Sequence, residues 1–190
     1  MSSHHLLLES LRGFYQNSHY AEELRKILEG ERGVSLRSID WFITNYSKKN
    51  NVYYTIYKDI PTGNPTLSDK HSSFSSNVNV HQSYKAQLKS YSKKTFDPFC
   101  RRDRILFECK GISVETTIGQ LNFFRWALGH MIIEYIEMNK SEIEKDMNYC
   151  LKKLKENHHK NGSRKKREQL SVSATRGLSK TNMNVEIIFE

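Results

Sequence analysis

Four side chains in the middle of the chain have types and an order suited to cutting a phosphodiester: Asp97, Glu108, Lys110 and Gln120. In an extended strand Glu108 and Lys110 project from one face. A carboxylate there, beside Asp97, suits Mg²⁺, and the ammonium suits the charge that develops on phosphate. The plainer reading of the same residues is a solvated strand end followed by an ordinary helix cap. A second set binds rather than cuts: Lys85, Lys89, Lys93, Lys94, Arg101, Arg102 and Arg104, interleaved with Tyr84, Tyr91, Phe96 and Phe99. Several cations on one track neutralise successive phosphates, and aromatic faces stack on unpaired bases. An apolar stripe at i, i+4, i+7 is ordinarily packing. The aromatics are therefore expected in the core and the cations at a polyanion. Arg164, Lys165, Lys166 and Arg167 add a basic arm with the composition of a nuclear-localisation or nucleic-acid-binding segment.

The order Asp97, Glu108-x-Lys110, then Gln120 resembles the pattern of restriction-endonuclease-like nucleases, with Phe124 where that pattern often has tyrosine. Other chemistry has less to stand on. Cys100 and Cys109 are too far apart for a zinc pair, and the sequence has no glycine-rich phosphate loop. No metal and no cofactor are expected.

These residues need elements to hold them. Tyr20, Leu24, Ile27 and Leu28 recur at helical spacing, predicting a helix over 19–29 that ends at Gly30 and Gly33. Ser35 caps a second, over 35–48, with Leu36, Ile39, Phe42, Ile43 and Tyr46 inward. Residues 52–57 are β-branched and aromatic, so they predict a strand. The segment 61–79 turns to Ser, Thr, Asn, Gly and Pro and reads as a long surface loop. Tyr84, Leu88 and Tyr91 then mark a helix, with Lys85, Lys89 and Lys93 at i, i+4, i+8 along it and Asp97-Pro98 as its stop.

Residues 105–109 and 112–114 predict a hairpin around Lys110-Gly111. Thr117 and Gln120 form a capping box opening a helix over 117–138, and Ser141 with Glu144 opens another over 141–156, with Ile143, Met147, Cys150, Leu151 and Leu154 inward. Val185, Ile187 and Phe189 alternate like a strand.

The 190 residues carry 30 Lys+Arg against 21 Asp+Glu, for a net charge of +9. The excess is local. Residues 47–110 hold 12 basic and 5 acidic groups, a net of +7, against −1 over 1–46, 0 over 111–160 and +3 over 161–190. Charge concentrated in this way makes a field that a polyanion feels. No apolar run approaches the roughly 20 residues a membrane helix needs, so no membrane partner is expected. The first residues lack the basic region and apolar core of a secretory signal, and three separated cysteines suit a reducing compartment.

Three blocks occur in order: Ile39-Asp40-Trp41-Phe42-Ile43-Thr44-Asn45-Tyr46-Ser47-Lys48-Lys49; Ser83 to Lys94 with Phe96-Asp97-Pro98-Phe99-Cys100-Arg101-Arg102; and Glu115 to Ala127. Together they resemble a group of short basic proteins encoded by nucleocytoplasmic large DNA viruses, the giant viruses, over roughly residues 35–140. The resemblance implies a context: a viral protein in the infected host cytoplasm, at the viral factory or in the virion, near a large DNA genome. It assigns no reaction and no site residue.

The expected fold is α+β, a small antiparallel sheet from 52–57, 105–109, 112–114 and 185–189 packed against four to five helices. The expected organisation is an N-terminal helical segment over 1–34, a core over 35–157, a basic flexible segment over 158–183, and a C-terminal strand over 184–190 joining the core. The expected function is non-enzymatic binding of DNA or RNA through the phosphate backbone, serving the viral genome or transcription machinery. The alternatives are a virion structural or assembly protein that meets an acidic protein partner, and the Mg²⁺-dependent nuclease.

Overall fold

The computed structural model describes residues 3–99, 101 and 103–160. The expected basic segment and strand beyond Lys160, Arg164–Arg167 included, and also Cys100 and Arg102, lie outside the described residues. Residues 1–151 form one compact unit. Of the second unit, 152–190, the description covers the last turns of a helix.

The chain opens with α1 (Ser3–Tyr15) and α2 (Ser18–Leu28). Leu11 and Tyr15, four apart on α1, are fully buried, and the Tyr15 hydroxyl donates to the Leu121 carbonyl at 2.9 Å. Asn17 caps α2, its side chain accepting from the His19 N–H at 3.0 Å. Ser35 caps α3 (Leu36–Trp41) as its spacing predicts. This helix passes through a π-helical turn (Phe42–Tyr46) into α4 (Ser47–Lys49). Ile39, Phe42 and Ile43 point inward, as the apolar stripe requires.

β1 (Tyr53–Asp59) lies between β2 (Pro65–Thr66) and β3 (Ser72–Asn79), antiparallel to both. The surface loop expected over 61–79 is thus largely replaced by two strands. Composition hid β3: its Ser and Asn side chains face outward, and pairing with β1, not intrinsic propensity, holds the backbone extended. α5 (Val80–Ser90) follows at once.

β4 (Ile105–Cys109) and β5 (Ile112–Thr116) form the expected hairpin. Lys110 and Gly111 make its turn, both at positive φ (52° and 78°), the conformation that matches strand twist across a two-residue loop. This hairpin is a second sheet. The single sheet expected from 52–57, 105–109 and 112–114 is two separate ones, because β4 and β5 pair only with each other.

α6 (Ile118–Gly129) is the central helix, with Leu121, Phe123, Phe124, Trp126, Ala127 and Leu128 all buried. A helix apolar on nearly every side belongs in the middle of a fold. Thr117 caps it, but the capping box is only half made. The Gln120 side chain turns away, accepting from the Thr116 hydroxyl at 2.9 Å and donating to the Pro98 carbonyl at 2.9 Å.

The single helix expected over 117–138 breaks at Met131, whose φ of 53° is left-handed, and resumes as α7 (Ile132–Met138). α8 (Lys140–Lys160) ends the described chain. Of its expected inward stripe Ile143 is buried, while Leu154 is 53% exposed.

Candidate nucleic-acid interface

α5 is built from its cap inward. The Asn79 side chain accepts from the Gln82 N–H at 3.0 Å, and Val80, Tyr84 and Leu88 then fall on the face that meets the core. Lys85 and Lys89, one residue on from Tyr84 and Leu88, fall on the outer face and are exposed. The aromatics behave as packing: Phe96 is buried with its ring 5.3 Å from Phe123 and 5.8 Å from Trp126, and Tyr84 lies 5.9 Å from Trp126.

The lysine stripe itself is broken. The helix stops at Ser90, well short of Asp97-Pro98, and Tyr91 is extended (φ −123°, ψ 140°). α6 is the cause. The Thr95 carbonyl accepts from the Asn122 amide at 2.8 Å, the Asp97 N–H donates to the Gly119 carbonyl at 3.2 Å, and Phe96 is drawn into the core. These bonds pull the chain out of helical register. Lys93 and Lys94 therefore project from a turn beyond α5, where both are exposed.

Some cations elsewhere are engaged by the protein's own carboxylates. Arg25 contacts Glu22, Glu29 and Glu31; Arg32 contacts Glu23, Glu134 and Glu137; Lys49 contacts Asp146. Lys85, Lys89, Lys93 and Lys94 have no ion pair among the described residues, and no Asp or Glu occurs between Asp69 and Asp97. Two arginines of the expected track differ. Arg101 grips Asp97 with two hydrogen bonds, Nε to Oδ2 at 2.9 Å and Nη2 to Oδ1 at 2.8 Å. Arg104 pairs with Glu115 at 3.0 Å.

Behind α5 lies a cleft of about 610 Å³ lined by Asp40, Thr44, Tyr84, Leu88, Lys93, Phe96, Asp97, Pro98 and Arg101. Thr44 belongs to the π-helical turn, and its hydroxyl donates back to the Asp40 carbonyl at 2.7 Å. Burial pushes the Asp40 carboxyl above the usual carboxylate range, and the Asp97 charge adds to the shift while Arg101 opposes it. The Tyr84 phenol is raised as well, by burial first and then by Asp40 and Asp97. These groups therefore feel one another across the cleft. Asp40 was legible beforehand only as a charged residue next to the apolar stripe of Ile39, Phe42 and Ile43; its role in a cavity needed α5 to be placed opposite.

The set Asp97, Glu108, Lys110 and Gln120 is not gathered into one cavity. Asp97 lines the cleft with both oxygens engaged by Arg101, and both ends of the Gln120 amide are committed. Glu108 and Lys110 line a separate depression at the hairpin tip. Lys110 sits in the turn, so the strand alternation that would align it with Glu108 has already ended. Among the described residues no three His, Cys, Asp or Glu side chains are grouped to hold a metal ion, and no helix is long and apolar enough to cross a membrane.

A model of a family of unknown function, DUF7197, matches residues 1–188. The sequence is similar to uncharacterized protein L507 of Acanthamoeba polyphaga mimivirus, 40% identical over 157 residues, which cover 80% of this chain and 56% of that protein. The chain thus spans little more than half the length of that relative. No solved structure matches.

Proposed function

The chain belongs to the DUF7197 family, with a relative in a giant virus, and from that premise we propose that it is a non-enzymatic nucleic-acid-binding protein. The observation that carries this reading is the group Lys85, Lys89, Lys93 and Lys94, exposed and without ion pairs among the described residues, in a stretch that contains no acid. Such lysines have no internal partner to give up, so each phosphate they meet releases condensed counterions. Arg101 and Arg104 contribute less than their number suggests, since Asp97 and Glu115 already face them.

The test is a titration of the full chain into labelled duplex and single-stranded DNA between 50 and 200 mM salt. Each lysine that meets a phosphate contributes a slope of about −0.9 in log K against log salt on duplex. The Lys85/Lys89/Lys93/Lys94→Ala variant is expected to lose roughly three to four units of slope at an unchanged melting temperature. Equal slopes for the two proteins would sink the reading.

A second reading, docking of a virion or transcription protein, is favoured by a different surface. Tyr53 and Phe74, on neighbouring strands of the first sheet, are 74% and 65% exposed. Exposed aromatics are enriched at protein interfaces. A stoichiometric complex lost on Phe74→Ser, with DNA affinity intact, would favour that reading.

A further inference from the structure

The cleft behind α5 holds a distinctive inventory of uncommitted groups. Asp97 is neutralised by Arg101, so Asp40 is the carboxylate there with oxygens to offer; no hydrogen bond to its side chain is found among the described residues. Ionised, it accepts and never donates. The Tyr84 hydroxyl has no hydrogen-bond partner among the described residues either, and its ring forms a wall with Phe96 and Leu88. Lys93 lines the same cleft and has no ion pair among the described residues. The turn that carries Thr44 is π-helical, a local irregularity found often at functional sites.

A ligand that satisfies this inventory carries adjacent N–H donors for a carboxylate, a flat apolar body for the aromatic walls, and an anionic group for the lysine. A volume of about 610 Å³ suits a nucleotide-sized molecule rather than an ion. Of the nucleobases, guanine presents two N–H groups side by side on its Watson–Crick edge, a match for the two oxygens of one carboxylate. We infer that the cleft binds a guanine base, either of a free nucleotide or unstacked from a single strand, with Asp40 on its N–H edge and Lys93 on its phosphate.

The inference rests in part on the proposed phosphate track, since Lys93 serves both. It makes this protein a reader of single-stranded guanine, which backbone contacts alone do not provide. Duplex DNA hides the edge that Asp40 would meet.

The experiment measures binding of the full chain to a dT strand with one central dG, the same strand with dA, and the free nucleotides GMP and AMP. The dG strand is expected to bind about tenfold more tightly than the dA strand, and GMP to compete where AMP does not. Asp40→Asn should bring the two strands to equal affinity while leaving the duplex salt slope unchanged. That comparison in the unaltered protein holds even if the variant fails to fold. Equal binding of dG and dA strands with no preference for GMP over AMP, or a guanine preference that survives Asp40→Asn, overturns the inference while the lysine track stands. GMP binding without any strand binding overturns the track and leaves the cleft. No binding of strand or GMP overturns both.

Discussion

Arg101 and Asp97 are joined by a forked pair of hydrogen bonds, 2.9 and 2.8 Å, that closes a turn of the chain directly after the lysines. The arginine is 67% exposed and the aspartate 11%, so the pair is a surface cation capping a sunken carboxylate. The guanidinium also lies 4.8 Å from the Phe99 ring centroid.

Arg101→Ala should therefore act on stability more than on binding. The exposed arginine is well screened, and the loss comes mainly from an Asp97 left with the Phe99 N–H as its remaining donor. A cost on the order of 1–2 kcal/mol is expected in urea unfolding, with the DNA salt slope changed by less than in Lys93→Ala.

At Gly119 the α6 backbone runs close against the 94–96 segment. A methyl group there would stand 3.0 Å from the Lys94 carbonyl oxygen and 3.5 Å from the Phe96 nitrogen, both backbone atoms that cannot swing aside. Gly119→Ala is expected to cost about 1–3 kcal/mol, because overpacking against backbone forces the segment to shift. Since that segment sets Lys93 and Lys94, thermal unfolding and DNA affinity should fall together. A stable variant with native affinity would contradict the placement.

His130 couples stability to pH. Its Nδ1–H donates to the Trp126 carbonyl at 2.8 Å, leaving Nε2 to accept from the Ser83 hydroxyl at 3.3 Å, while Trp126 Nε1 donates to the same hydroxyl at 2.9 Å. This chain of bonds ties α5 to α6. Burial lowers the imidazole from its ordinary value of 6.5, although the Trp126 carbonyl opposes the shift. The unfolded chain then takes up the proton first. Its contribution to stability is intact above pH 6.5, declines as pH falls below that value, and levels off once the folded-state value is passed. In a pH series of denaturant melts, His130→Gln should show a shallower decline than the unaltered chain in that interval; parallel curves would reject the assignment.

Local sequence was enough for the α+β class, the caps at Ser35 and Thr117, the hairpin around Lys110-Gly111, and the lysine-bearing face of α5. Each depends on interactions within a few residues: a side chain reaching its own helix start, a turn that tolerates positive φ, an apolar period of 3.6. The concentration of positive charge was equally legible, because charge is additive along the chain whatever its shape. Tertiary structure decided the rest. Strand β3 exists because β1 pairs with it, and α5 stops at Ser90 because Asn122 and Gly119 capture residues 95 and 97. Asp97 came to hold Arg101 in place of a metal partner at Glu108, and Asp40 came to face Tyr84 across a cleft. Those outcomes turn on contacts between residues far apart in the chain, and no local pattern encodes which distant partner reaches a polar group first.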